Sequence, residues 1–73
     1  EILNRNKQKQ PSKLQQIRKA RGFTQQQLAE ASGVTLRMIQ LYEQGQNDIN
    51  KAQVHVVVSI AKVLGCDVED LLG

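Results

Sequence analysis

Residues 24–45, TQQQLAEASGVTLRMIQLYEQG, contain two short amphipathic segments separated by a glycine. A threonine precedes each segment, at Thr24 and at Thr35, and threonine is a common N-terminal cap of an α-helix. Gly33 lies between the segments and can adopt the positive φ of a tight turn. Gly45 follows the second segment as a fitting C-terminal cap. The stretch therefore predicts a helix, a turn of three or four residues, and a second helix.

The same start signals recur on both sides of this stretch. A glutamine lies three residues after several of the capping residues, as in a capping box, and an apolar pair flanks most of the caps. The sequence therefore predicts a compact all-α fold of five helices. The predicted N-terminal caps are Ser12, Thr24, Thr35, Asn50 and Asp67.

Apolar residues at helical spacing predict the core of this fold. The inward positions of the first three helices are Leu14, Ile17, Ala20, Phe23, Leu28, Ala31, Val34, Met38, Ile39 and Tyr42. The fourth segment is rich in valine, a strand former, but its apolar period is that of a helix. Its predicted buried face consists of Val54, Val57, Ile60, Ala61 and Leu64, and the fifth helix adds Cys66 and Leu71. Val56 and Val63 lie off that face, and we expect their apolar side chains to pack against a neighbouring helix or a second subunit.

Length and composition exclude several classes of protein. The chain has 73 residues, a length that predicts a single folded unit. It contains one Phe, one Tyr and no Trp, so its core is predicted to be aliphatic. Cys66 is the one cysteine, which excludes an internal disulfide and a thiolate zinc site. No apolar run reaches the roughly 18 residues of a membrane span. We expect a cytoplasmic protein without a metal, a cofactor or a membrane partner.

Charge is distributed unevenly along the chain. Residues 1–40 carry eight Lys or Arg and two acids, whereas residues 41–73 carry two Lys or Arg and five acids. A basic end of this kind is typical of proteins that meet phosphate or an acidic membrane surface. The pattern divides the chain into a polar basic arm, residues 1–11, and a folded domain, residues 12–73. A solvated polar tail is the alternative interpretation of the arm.

The two central helices have the pattern of a DNA-binding helix-turn-helix. Ala29 is small where the two helices cross, and Leu28, Val34 and Ile39 fit the seam between them. The opposite face of the second of these helices is free to enter a major groove. That outward face consists of Leu36, Arg37, Gln40, Leu41 and Gln44.

The stretch from about Leu14 to Leu72 resembles the Cro and phage-repressor type of helix-turn-helix domain, often called the Xre family. The resemblance rests on the phrases GFTQQQLAEASGVT, YEQG and IAKVLGCDVEDLL. It implies a five-helix, lambda-repressor-like domain in the cytoplasm of a bacterium or in a phage-infected cell. It also implies binding to double-stranded DNA, usually as a homodimer on a palindromic operator.

The resemblance assigns roles to particular positions. It implies base reading by Thr35, Leu36, Arg37, Gln40 and Leu41. It implies phosphate contacts from Thr24, Gln25, Gln44, Gln46 and Asn47, with Gln25 also bracing the recognition helix. It further implies a structural ion pair between Arg18 and Glu43.

Two positions depart from the family pattern, because Leu36 and Leu41 stand where relatives often carry polar or basic side chains. Leucine cannot read a hydrogen-bond code, although it can contact thymine methyl groups. Base specificity would then depend mainly on Arg37 and Gln40, on an A·T-rich or loosely specified operator. The alternative is that both leucines belong to a protein interface.

Catalysis has little support in the sequence. The chain has one His and one Cys, and it lacks a nucleophile elbow, a metal-spaced cluster and a phosphate loop. We expect His55 in solvent and Cys66 in the core, and we predict no enzyme. The leading hypothesis is a sequence-specific DNA-binding regulator of transcription, most simply a repressor. The alternatives are the antitoxin of a toxin pair, which would bind DNA and a protein, and a protein-interaction module that does not bind DNA.

Overall fold

The computed structural model describes residues 12–72, and the predicted basic arm, residues 1–11, lies outside the described residues. Between Ser12 and Leu72 the structure contains helices and turns but no strand, so the all-α prediction with five α-helices is confirmed. A short 3-10 turn, Ile49–Lys51, precedes the fourth helix. The helices are α1 (Lys13–Ala20), α2 (Gln25–Ser32), α3 (Leu36–Gln44), α4 (Val54–Leu64) and α5 (Val68–Leu71).

Four of the five predicted helix starts are confirmed. Each of these starts is held by a hydrogen bond between the capping residue and the residue three positions later, which satisfies one of the free N–H groups at a helix end. At α2 the bond is reciprocal, because the side chain of Gln27 also accepts from the Thr24 N–H at 2.9 Å. The donor–acceptor pairs are Gln15 N to Ser12 Oγ at 3.0 Å, Gln27 N to Thr24 Oγ1 at 3.0 Å, Met38 N to Thr35 Oγ1 at 3.1 Å, and Asp67 N to Asp70 Oδ2 at 3.0 Å.

The prediction that Asn50 caps α4 is wrong, since the capping residue is Gln53. The carboxylate of Asp48 accepts the backbone N–H of Asn50 at 2.9 Å and thereby starts the 3-10 turn instead. Ala52 then adopts an extended conformation, with φ −70° and ψ 156°, which separates that turn from the helix. The local side-chain bond therefore delays α4 by three residues.

The core is aliphatic, as predicted, and Tyr42 is its one buried aromatic residue within the described range. Helix α2 packs against both α3 and α4, and α1 packs against α3 and α5. Burial of each large aliphatic side chain contributes about 1.5–3 kcal/mol to the stability of the fold. Helices this short are marginal in water on their own, so they are stable only when packed together. The buried apolar residues are Leu14, Leu28, Ala29, Ile39, Tyr42, Val57, Ile60, Ala61, Leu64 and Leu71.

Three predicted core positions are wrong. Ala20 and Ala31 are exposed, whereas Arg18 is the buried residue near the end of α1 and Ser32 is half-buried at the end of α2. Val54 is 76 % exposed, because it lies at the first position of α4, beyond the edge of the buried face.

The remaining apolar residues of α4 and α5 are packed inside one chain. Val56 and Val63 are half-buried against the core, so intramolecular packing accounts for them without a second subunit. Cys66 is also half-buried against the core, and burial raises the pKa of its thiol, with the nearby Asp70 adding to the shift. His55 is exposed, as predicted.

Candidate nucleic-acid interface

Helix α3 is held in place by an apolar seam with α2. Leu28 and Ile39 are fully buried where the two helices meet, and Ala29 is small enough for a close approach. Gly33 closes the turn between them with φ 76°, a conformation that other residues adopt only under strain. The seam and the turn together present the opposite side of α3 to the outside.

The predicted base-reading residues lie along that outer side. At about 100° per residue, the α3 positions 36, 37, 40, 41 and 44 fall within an arc of about 140°. Arg37 and Gln44 are exposed, as is the capping residue Thr35, while Gln40 and Leu41 are half-buried. Inward positions are occupied as predicted, with Ile39 and Tyr42 buried and Met38 packed against the core.

Leu36 differs from its predicted place. It is half-buried and packs against the core, so only part of its side chain lies on the outer face. The reason is its position at one edge of the arc, in the first turn of α3. Leu41, at the opposite edge, is half-buried but is not among the residues packed on the core cluster. The two leucines therefore differ in how much apolar surface they offer to a ligand.

A buried ion pair joins the far end of α3 to α1. Arg18 Nε lies 2.6 Å from Glu43 Oε2, and the second guanidinium nitrogen donates to Glu43 Oε1 at 3.1 Å. The two side chains are only 8 % and 2 % exposed. The third nitrogen of Arg18 donates to the carbonyl of Phe23 at 2.8 Å, in the loop before α2. Such forked geometry fixes the orientation of both groups.

Gln25 adds the first turn of α2 to the same network. Its side-chain amide donates to Glu43 Oε1 at 2.9 Å. Glu43 therefore accepts hydrogen bonds from α1 and α2 while it belongs to α3, and it fixes the three helices relative to one another. Thr24 is exposed beside Gln25, with its hydroxyl oxygen engaged by the N–H of Gln27.

The loop after α3 folds back over the end of that helix. The backbone N–H groups of Gln46 and Asn47 both donate to the Leu41 carbonyl, at 3.0 and 3.2 Å. The Asn47 side chain contacts Met38 Sδ at 3.9 Å, whereas Gln46 is exposed. The predicted phosphate contacts of this loop therefore lie beside the C-terminal end of α3.

Sequence reasoning missed the turn that follows. The Asp48 carboxylate accepts both the N–H and the side-chain amide of Asn50, and these bonds lower its pKa. An aspartate two residues before an asparagine is a local turn signal that could have identified this feature. The turn brings Lys51 next to the loop.

Opposite charges nearly balance in the described part of the chain. Residues 12–72 contain seven Lys or Arg and six Asp or Glu. Arg37 is the one cation of α3, and four of the acids lie after Tyr42 outside α3, at Asp48 and in the region of α5. Outside the described range, the sequence of residues 1–11 adds the cations Arg5, Lys7 and Lys9.

Other kinds of site have no support between residues 12 and 72. No group of three or more His, Cys, Asp or Glu in this part of the chain could hold a metal ion. Nor does the described range contain a helix with the length and apolar character needed to cross a membrane.

Comparison with known proteins agrees with the geometry. The family model described as Helix-turn-helix matches residues 14–71, which include all five helices except the first residue of α1. No curated protein and no solved structure gives a significant match to the chain.

Proposed function

The chain belongs to the Xre and Cro type of the helix-turn-helix family, and on that premise we propose that it is a sequence-specific regulator of transcription, most simply a repressor. As a DNA-binding regulator it would insert α3 into the major groove of a double-stranded operator. Occupation of a promoter by the domain would then exclude RNA polymerase. No catalytic step is needed for this function.

The observation that carries the proposal is the way α3 is fixed. The seam with α2 holds one side of the helix, and Glu43 ties its end to Arg18 and Gln25. A recognition helix that is rigid before binding loses little conformational entropy on DNA. Because the outward side then carries Arg37 and Gln40, the arrangement suits direct reading of base edges.

We assign the individual contacts as the family pattern suggests. Thr35, Arg37, Gln40 and Leu41 would face bases, with Leu36 limited to a contact from the exposed part of its side chain. The proposed phosphate contacts are Thr24, Gln25, Gln44, Gln46 and Asn47. One N–H of the Gln25 amide is committed to Glu43, and the other remains for a phosphate oxygen.

A binding titration tests the proposal in its simplest form. We expect the protein to bind a duplex with an affinity that falls as the salt concentration rises, because cations of the protein displace counterions from the DNA. Electrophoretic mobility shift or fluorescence anisotropy at several salt concentrations measures this. A protein that binds no duplex at low salt would instead be an interaction module.

The basic arm is proposed to strengthen binding without reading sequence. Ser12 lines a cleft together with Gly45 and Asn47, so the described part of the chain begins beside the loop that follows α3. Deleting residues 1–10 is expected to weaken binding to all duplexes alike and to reduce the salt slope by nearly one for each phosphate that the arm neutralises. Titrations of the shortened and full chains over a salt series measure both quantities.

A matched variant separates charge from length in that experiment. Replacing Arg5, Lys7 and Lys9 with glutamine keeps the arm but removes its cations, and it should reproduce the decrease in slope. Unchanged slopes in both variants would show that the arm is a solvated tail.

A second copy of the chain is the proposed protein partner. Val54 is 76 % exposed and borders a shallow groove of about 120 Å³ between the 3-10 turn, α4 and α5. Val68 and Leu72 are among the other apolar residues that line it. An exposed apolar side chain beside a groove on the same subunit suits a two-fold contact, in which each copy supplies both features.

The dimer predicts the pattern of DNA protection. A domain of this size contacts only about four or five base pairs, so two copies should protect two half-sites about 10 base pairs apart. Footprinting on a selected operator measures the spacing, and Val54→Asp should weaken binding to the paired site more than to a single half-site. Full affinity for one isolated half-site would contradict the dimer and leave the groove for a different protein, such as a toxin.

A further inference from the structure

Opposite charges line a cleft between α1 and α5, which we call the α1–α5 cleft. It has a volume of about 460 Å³. Its basic wall consists of Lys13, the first residue of α1, and Arg21, the C-terminal cap of that helix. Its acidic wall consists of Glu69 and Asp70 in α5. The two walls therefore carry equal and opposite formal charges.

The two walls do not neutralise one another within the chain. None of their four charged groups forms an ion pair with residues 12–72, where the one ion pair joins Arg18 to Glu43. All four residues are exposed. The Asp70 carboxylate accepts the backbone N–H of Asp67 at 3.0 Å, but this bond leaves its charge in place. Both walls can therefore attract a partner.

Apolar surface accompanies the charged walls. Ile17 and Cys66 also line the cleft, and both are half-buried against the core. Burial raises the pKa of the Cys66 thiol, Asp70 raises it further, and Arg21 lowers it. Charges of both walls therefore lie close to the thiol. An occupant of the cleft meets apolar groups together with charges of both signs.

This combination of charges limits the kinds of occupant. The acidic wall repels the phosphates of DNA, and no residue of α3 lines the cleft. A partner of one sign would be attracted by one wall and repelled by the other. A partner that presents both signs in the opposite arrangement fits better. A second copy of this chain does so, because a two-fold rotation places α1 of each copy against α5 of the other.

We propose that the α1–α5 cleft is an interface between two copies of this chain, in which the basic wall of each copy pairs with the acidic wall of the other. The contact is reciprocal, so one docking event forms both sets of ion pairs. It is separate from the groove beside Val54, because the two surfaces share no lining residue. One copy can therefore contact two neighbours, and dimers formed at the groove beside Val54 can be linked to each other.

The contact is expected to be weak in free solution. Exposed ion pairs contribute little and are screened by salt, so the chains should associate only at high concentration and low salt. Copies held at adjacent operators experience an effective concentration on the order of millimolar, which is enough to make their binding cooperative. This consequence for operators rests on the proposed function, whereas the contact itself does not.

Charge reversal tests the interface in the absence of DNA. The parent protein carries Val54→Asp, which weakens the other proposed contact between copies. One variant reverses the basic wall with Lys13→Glu and Arg21→Glu. The other changes the acidic wall with Glu69→Lys and Asp70→Asn, where the asparagine keeps an acceptor for the cap of α5. Each variant alone should associate about tenfold more weakly than the parent, because like charges meet.

An equimolar mixture of the two variants gives the decisive measurement. Unlike walls face each other in both halves of the mixed pair, so the mixture should associate again. Sedimentation equilibrium at low salt, with protein concentrations approaching millimolar, measures the parent, each variant and the mixture. Raising the salt concentration should weaken the association of the parent and of the mixture alike.

Controls separate the cleft from general effects of charge and from unfolding. Glu30→Lys and Lys62→Glu reverse exposed charges of α2 and α4 outside the cleft and should leave association unchanged. Both wall variants should unfold at nearly the temperature of the parent, since the walls form no ion pair within the described residues. Alkylation of Cys66 by iodoacetamide should become slower as the concentration of the parent rises, but not in either wall variant.

Three results would overturn the proposal. The first is a parent protein that stays monomeric near millimolar concentration at low salt, which would leave the cleft to a different protein. The second is association that strengthens as salt rises, which would indicate an apolar contact elsewhere. The third is a mixture of the two wall variants that associates no better than either variant alone. Failure of the wild type to bind any duplex would reject the proposed function and leave this interface intact.

Discussion

Replacing Glu43 with alanine is expected to lower the free energy of unfolding by about 3–5 kcal/mol, because it leaves the buried charge of Arg18 without a partner. The Glu43 side chain is 2 % exposed and accepts from Arg18 and Gln25, so water cannot replace it without opening the junction of three helices. Urea denaturation at low temperature measures the decrease. Glu43→Gln, which retains an acceptor oxygen, provides a milder variant if the alanine protein does not fold.

A double-mutant cycle separates the ion pair from the two side chains. In the Glu43→Ala protein, Arg18→Met should lower the free energy of unfolding only slightly or even raise it, because it removes the unpaired buried charge. Glu30→Ala on the exposed side of α2 is the matched control and should change stability by no more than about 0.5 kcal/mol. Destabilising effects that simply add in the double variant would show that Arg18 and Glu43 are not coupled.

The second large effect is expected at Arg37, whose replacement by alanine should abolish the preference for the selected operator. A forked contact from arginine to guanine is worth about 1–3 kcal/mol, which corresponds to roughly 5- to 150-fold in affinity. Arg37 is exposed and has no ion pair within the described residues, so the fold should not change. Binding to the selected and scrambled duplexes, measured at one salt concentration, gives the ratio.

Controls distinguish a base contact from a phosphate contact. Lys19→Ala removes an exposed cation of α1 and should leave the ratio of the two affinities unchanged. Equal decreases in affinity for both duplexes in Arg37→Ala would mean that Arg37 contacts only phosphate. No decrease for either duplex would mean that the outer side of α3 does not face DNA.

Much of this fold could be predicted because its signals are local. Thr24 and Thr35 bond to residues only three positions away, and Gly33 needs a positive φ whatever surrounds it. Such features depend on a few neighbouring residues, so a sequence pattern contains them. The pairing of Arg18 with Glu43, 25 positions apart, came instead from the family resemblance.

Competing interactions explain the errors. Asn50 has the residue type and spacing of a helix cap, but its N–H donates to the Asp48 carboxylate, and this bond starts a 3-10 turn. Val54 and Leu36 lie at the edges of helical faces, where a small rotation of the helix decides between core and solvent. The helical period predicts which residues lie at the centre of a buried face, but it does not decide whether the residues at the edges of that face are buried.

The candidate site was predictable in part for the same reason. The outward side of α3 follows from the period of that helix, whereas the position of Lys51 beside the loop after α3 depends on how the 3-10 turn folds back. No periodic signal marks Lys51, because it belongs to a turn rather than to an amphipathic helix.

Selection from a pool of random-sequence duplexes tests the central claim most directly. If α3 reads base edges, repeated rounds of binding and amplification should enrich one motif, formed by two inverted half-sites about 10 base pairs apart. Arg37→Ala carried through the same selection should enrich a weaker or different motif. A pool that remains random after several rounds of wild-type selection would contradict sequence-specific recognition of DNA by this protein.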